Sequence, residues 1–354
     1  MLGIDRKSAR TVWTAVVIIL GIALVYMVRK TLFVFVLALL FAYLLSPLVN
    51  LFDRLLPVRW TRTAALALAY VIFVGAAVFF AIQIGSRVVE QANRLVKEFP
   101  ARVTHWVQTP SASETVNSIK AQVVERVQTD IGEWSSSLLS SLPQASLQLF
   151  NVASNLIYLV IIPVLGFFFL QDGHLIRQHL LDLVDAGPRR ALLDEVLADT
   201  HLLLAHYMRS LVGLSLAAFT AYGIFFSIMK VPYGVLLAAV ACLLEFIPMV
   251  GPLAASVLIL VVAGVAQSHV LAILIFIVAF RMVQDYILSP RLMGQGVELH
   301  PLLVLFGVFA GAEVAGIAGT FLSVPVLALV RILYIRIRRS RLSTGVTTGL
   351  AQPE

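Results

Sequence analysis

Glu245 is the residue of this chain best placed to do chemistry. It closes a run of fourteen uncharged residues, 231–244, and Pro248 follows three positions later. The Gly251-Pro252 pair comes next, and then a second apolar run, 253–266. A charge at the centre of a membrane helix costs roughly 2.5–3.5 kcal/mol on insertion scales, so a carboxylate held there is expected to have a function. Pro248 has no N–H and disturbs the carbonyl of Leu244, which predicts free backbone oxygens beside the carboxylate. Such a site can hold a cation, a proton or the donor groups of a polar solute. The alternative is that Glu245 caps the N-terminus of the second half-helix, where the helix dipole favours it.

A second constellation is Arg281, Gln284 and Asp285, followed by Pro290, Gly294, His300 and Pro301. Arg281 and Asp285 are four apart, so on a helix they share a face and can pair. Gln284 adds neutral hydrogen-bonding capacity suited to a small polar substrate. The alternative is a structural ion pair at the membrane boundary. Glu313 lies among Gly307, Gly311, Gly316 and Gly319, which permit close helix approach; it reads as an interfacial carboxylate. His300 can titrate near neutrality but sits in a loop. Together with Arg281, Pro290, Gly294 and Glu313 it forms a supporting set around Glu245, Pro248, Gly251, Gln284 and Asp285.

The remaining histidines do not make a metal site. His174/His179 and His201/His206 are five apart, a poor spacing for shared ligation on a helix. No H-E-x-x-H, G-x-S-x-G or phosphate loop occurs. No cofactor, no metal and no enzymatic reaction is expected. An intramembrane enzyme is the weakest reading.

The elements that must position these groups are membrane helices. Apolar residues make up 60% of the 354 and charged ones 13%, against about 25% charged in ordinary soluble domains. Uncharged runs place spans at 11–28, 31–52, 63–86, about 147–170, 210–229 and 270–289. Two further regions are divided. Runs 231–244 and 253–266 are each too short to cross, since about 14 residues reach roughly 20 Å against a core of about 30 Å. Region 301–330 is split near Gly311, Glu313, Gly316 and Gly319. If both are hairpins, each follows a full span and they enter from opposite sides. That is an inverted repeat, in which midplane sites and alternating access are built from broken helices. Hydropathy alone does not separate hairpins from short full spans.

Residues 87–141 read as amphipathic helix. Val88, Ala92, Leu95, Phe99, Val103 and Trp106 form one stripe, and Val116, Ile119, Val123, Val127, Ile131, Trp134 and Leu138 a second. Such helices can pack within the protein, lie on lipid or join subunits. A helix is predicted to begin at Pro188, a favoured first-turn residue. The single cysteine, Cys242, excludes a disulfide within the chain.

The expected organisation is therefore N-terminal transmembrane helices over 1–86, an amphipathic extramembrane segment over 87–146 and one span over 147–171. A cytoplasmic helical segment follows over 172–206, then a transport core over 207–335 and a basic tail over 336–354. The fold class is an all-α polytopic membrane protein of about eight transmembrane segments, with the two divided regions as either re-entrant hairpins in an inverted repeat or short full spans. The net charge of +7 follows the positive-inside bias and does not call for nucleic acid. With the N-terminus inside, Arg54, Arg59, Arg62, Arg177, Arg189, Arg190, Arg291 and the C-terminal arginines all fall in the cytoplasm. Arg331, Arg336, Arg338, Arg339 and Arg341 read as a stop-transfer cluster facing anionic lipid.

Four motifs have a familiar look: E-F-I-P-M-V-G-P at 245–252, Q-D-Y-I-L-S-P-R-L-M-G at 284–294, L-H-P-L-L-V-L-F at 299–306 and F-F-F-L-Q-D-G at 167–173. Together they resemble the autoinducer-2 exporter family of bacterial permeases. The resemblance spans the chain, weakly before Phe150 and strongly after Val231. It implies a bacterial inner-membrane protein, often counted as eight spans, with pentamers and elevator-like movement. Family members are linked to export of the furanone signal autoinducer-2, and some to sodium or lithium/proton antiport. The family's acidic, proline and glycine positions carry over to Glu245, Pro248, Gly251, Pro290 and Gly294; its substrate does not carry over.

The sequence reading is thus a permease moving a small polar solute outward, with Glu245 and Asp285 lining the site and Gln284 assisting. The expected partners are that solute, H+ or Na+, membrane lipid and further copies of the chain. The rival readings are a Na+(Li+)/H+ antiporter on the same acids and a non-transporting membrane scaffold.

Overall fold

The computed structural model describes residues 6–55, 62–108, 153–293 and 299–349, and among them every element is helical. The long apolar helices are α1 (Arg6–Met27), α2 (Arg29–Leu55), α3 (Arg62–Gln108), α4 (Ala153–Asp182) and α5 (Pro188–Ile228). Two short ones follow, α6 (Gly234–Leu244) and α7 (Val250–Val265). Helix α8 (Val270–Val283) passes through a π-helical turn, Gln284–Leu288, into α9 (Ser289–Met293). Helix α10 (Pro301–Gly349) is the last described element.

By length and composition, six stretches of the described chain are long and apolar enough to cross a membrane. Their outward faces are apolar too. Val71, Val74, Val78 and Ile82 stand exposed along α3, which water does not tolerate but hydrocarbon does. Helices satisfy every interior backbone group within the segment, so they are the form such a chain takes in lipid. The protein is a multi-pass, all-α membrane protein.

Three close contacts tie α2, α3 and α4. The Tyr70 hydroxyl donates to the Pro163 carbonyl at 2.9 Å. Gly166 lets that hydroxyl and Phe41 come close: a Cβ there would stand 2.9 Å from Phe41 Cδ1 and 3.2 Å from Tyr70 Oη. Val49, Leu66 and Ala69 fill the space beneath.

Helix α5 begins at Pro188, as the sequence predicts, with the proline in its first turn. It runs 41 residues, or about 60 Å, roughly twice the hydrocarbon thickness. Helix α3 runs 47 residues without a break at 86. The stripe Leu95, Phe99 and Val103 therefore continues the third membrane helix rather than starting a new one. Leu95 and Phe99 pack on the core made by α5, α6, α7 and α8. Gln91 Oε1 accepts the Leu236 N–H at 2.9 Å, and the Tyr233 hydroxyl donates to Glu98 at 2.8 Å. This part of the amphipathic segment packs within the protein. The second stripe, from Val116 to Leu138, lies outside the described residues.

Both divided regions fold back on themselves. Helices α6 and α7 have 11 and 16 residues, about 16 and 24 Å, and Leu237, Ala238 and Ala241 of one pack with Ala255, Ile259 and Val262 of the other. In α10 the backbone leaves helical geometry at Ala315 (φ −144°, ψ 21°) and Gly316 (φ 60°, ψ −143°). A Cβ on Gly311 would lie 2.3 Å from the Gly319 carbonyl oxygen, and one on Gly307 2.5 Å from Leu327 Cδ1. The pairs 311/319 and 307/327 are centred on 315 and 317, so the arms are antiparallel, and at 311 and 319 they touch backbone to backbone. The stretch Pro301–Arg339 is long enough for one crossing, but this reversal divides it.

Candidate functional site

The tip of the first hairpin carries Glu245, which is the last residue of the α6 end rather than the start of α7. Met249 takes the N-cap position of α7, and no side chain caps that helix. The capping role is therefore not the one Glu245 plays. The turn also accounts for the Leu244 carbonyl: it accepts the Ile247 N–H at 2.9 Å, so the free oxygen expected from Pro248 is not left at that position. A tighter turn takes up the group that the helix abandons. The constraint shows in Met249, held at φ 63°, a region non-glycine residues seldom enter. It shows again in Gly251, where a Cβ would stand 1.8 Å from the Leu244 oxygen.

Opposite this tip lies the π turn. Its extra residue per turn appears in the Ser289 N–H, which bonds the Gln284 carbonyl five residues back. Such turns interrupt a helix and occur often at functional sites. This one sets Gln284, 3% exposed, with its amide against the hairpin tip. Gln284 Nε2 donates to Glu245 Oε1 at 2.6 Å. Arg281 Nη1 lies 4.0 Å from the same oxygen, while Arg281 Nε holds Asp285 Oδ2 at 2.9 Å. Glu245 Oε2 accepts no hydrogen bond among the described residues.

Glu245, Pro248, Arg281, Gln284 and Asp285 line one cavity of about 610 Å³. Gly251, Pro290, His300 and Glu313 are not among the residues that line it. Gly251 serves the turn; Pro290 and Glu313 are exposed, and Glu313 lies near the apex of the second hairpin. His300 Nδ1 accepts the Leu302 N–H at 3.3 Å, at the start of α10. Gly294 lies outside the described residues.

Several cavity residues carry no local signal in the sequence. From α5 come Asp199, His206 and Tyr207, and from α10 Pro325 and Arg336. Arg336 Nε bonds Asp199 Oδ2 at 2.7 Å and its Nη1 bonds Glu195 Oε2 at 2.6 Å. One member of the basic C-terminal cluster thus ties α10 to α5. The positions 199, 202, 203, 206, 207, 211 and 214 do recur at helical spacing and mix polar with apolar side chains. That pattern marks a lined face once α5 is known to be one helix. The two hairpins also meet here: Phe246 at one tip packs near Phe321 beyond the other, ring centroids 6.0 Å apart. The Tyr207 hydroxyl donates to the Phe321 carbonyl at 3.4 Å. Among the described residues no group of three His, Cys, Asp or Glu side chains could hold a metal ion.

Paired half-helices, a carboxylate at the break and a cavity shared by both define a membrane transport protein of the broken-helix kind. The chain belongs to the AI-2E family of transporters, whose sequence pattern matches residues 15–339. Three relatives each bear the name "Putative transport protein". YueF of Bacillus subtilis is 26% identical over 306 residues, covering 84% of this chain and 81% of its own length. YrrI of the same organism is 25% identical over 331 residues, 89% of each chain. MT0215 of Mycobacterium tuberculosis is 27% identical over 343 residues, 91% of this chain and 88% of its own.

Proposed function

We propose that this transporter exports a small polar solute of the autoinducer-2 kind from the bacterial cytoplasm, through the inner membrane. The observation that carries the reading is the Glu245–Gln284 contact. It joins the tip of a divided helix to a π turn, inside a cavity that the second hairpin also lines. The solute's hydroxyl groups would donate to Glu245 Oε2 and to Asp285. In this reading both termini and residues 172–206 face the cytoplasm. The cavity end at Asp199 and Arg336 then opens inward, and the first hairpin enters from outside.

A second reading is favoured by the same free carboxylate oxygen: exchange of H+ for Na+ or Li+ at Glu245. Proteoliposomes decide between them. Furanone efflux that persists without a sodium or pH gradient supports the solute exporter. Sodium flux coupled to protons, with no furanone movement, supports the antiporter. Neither flux above empty liposomes refutes both.

A further inference from the structure

The cavity is larger and more apolar than a small polyol needs. Its volume of about 610 Å³ falls in the range that holds drug-sized ligands, about 300–1,000 Å³. Along α5 it extends from Asp199 to Leu214, fifteen residues or about 22 Å. Between its charged ends the wall is mainly aliphatic, with Leu203, Leu211, Val304, Val324 and Ile332, and is interrupted by His206 and Tyr207. A hydroxyl set against the aliphatic part of that wall finds no partner, at a cost of about 1–3 kcal/mol.

The carboxylates lining the cavity are Asp199, Glu245 and Asp285 and the guanidiniums Arg281 and Arg336, an excess of one carboxylate. Both arginines are already engaged by carboxylates, Arg281 by Asp285 and Arg336 by Asp199 and Glu195. Among the described residues each guanidinium lining the cavity thus faces a carboxylate, Arg281 Nη1 also lying 4.0 Å from Glu245. What is left is an acceptor: Gln284 holds Glu245 Oε1, and Oε2 accepts no hydrogen bond among the described residues.

We propose that the preferred ligand of this cavity is an amphipathic organic cation. Its ammonium group donates to Glu245 and its apolar body lies along the α5–α10 wall. The inference rests on the reading of Glu245 as the solute site and goes beyond the furanone class of solute proposed above.

Binding to the purified full-length protein in detergent tests it, with tritiated tryptamine as the probe. Indole-3-propionate has a similar body with the opposite charge, and methylammonium has the charge without the body. Tryptamine is expected to bind at least tenfold more tightly than either. Glu245→Gln is expected to weaken it at least tenfold, and Glu245→Asp to retain part of the affinity. Val324→Ser is expected to weaken tryptamine severalfold; elution of each variant as a monodisperse species confirms folding. Equal or tighter binding of indole-3-propionate, binding of methylammonium as tight as that of tryptamine, binding untouched by Glu245→Gln, or no tryptamine binding overturns the proposal. Glu245-dependent furanone flux from a protein that ignores tryptamine would retire the cation class alone. Tryptamine binding by a protein that moves no solute would retire the transport reading alone.

Discussion

Gly251→Ala is the most severe small change this structure permits. The added Cβ would stand 1.8 Å from the Leu244 carbonyl oxygen, 2.7 Å from its carbon and 3.2 Å from Ile247 Cβ. Ordinary contacts begin near 3.4 Å, so the turn must move by more than 1 Å on the Leu244 side. Backbone, not a flexible side-chain end, is in the way. Overpacking costs about 1–3 kcal/mol where neighbours yield, and a turn already holding Met249 at positive φ yields little. A loss of about 3 kcal/mol or more is expected, together with displacement of Glu245 from Gln284. Gly264→Ala is the control on the same helix: nothing lies within 4 Å of its Cβ. There alanine replaces glycine in the last turn of the helix, with no clash to relieve, and no loss of stability is expected. Heating both variants in detergent and following the monodisperse fraction by size exclusion gives the comparison. Gly251→Ala as heat-resistant as Gly264→Ala would refute the close turn and the placement of Glu245 that depends on it.

Three other outcomes follow from named contacts. Gln91→Ala removes the side chain that accepts the Leu236 N–H in the first turn of α6. A lost cap of this kind costs about 1 kcal/mol, and faster amide exchange at residues 234–237 is the readout. Arg336→Ala is expected to cost no more than about 1 kcal/mol, because Glu195 and Asp199 are 53% and 32% exposed, and the loss should shrink in high salt. With Cys242 replaced by alanine, a cysteine at position 250 should resist an impermeant thiol reagent from the cytoplasmic side if the first hairpin enters from outside. Labelling there in every condition contradicts a re-entrant hairpin.

Much of this arrangement was legible in the chain because it is local. The uncharged run ending at Glu245, with Pro248 and Gly251 after it, could only be a break, and the glycines at 311, 316 and 319 marked the second. The four-residue spacing of Arg281 and Asp285 predicted their pair. The continuity of α3 past residue 86 was not legible, because a helix that passes from lipid to an amphipathic environment changes its composition there, and Gly85 and Pro100 lie inside it without ending it. The π turn left no mark, since one extra residue in a helical turn needs no special residue type. Arg336 with Asp199 and Glu195 lay furthest out of reach. These groups are 137 and 141 residues apart, and only the fold brings α10 alongside α5.

The central claim is that the charge of Glu245, held by Gln284 at the hairpin tip, carries solute or ion movement. Glu245→Gln keeps the side chain's size and an oxygen that can accept, while removing the charge. Flux through proteoliposomes and heat resistance in detergent, measured on the same preparation, test it most directly. The prediction is a protein as stable as the wild type that moves neither furanone nor coupled cations. Wild-type flux from stable Glu245→Gln would contradict the claim and leave the carboxylate a structural role.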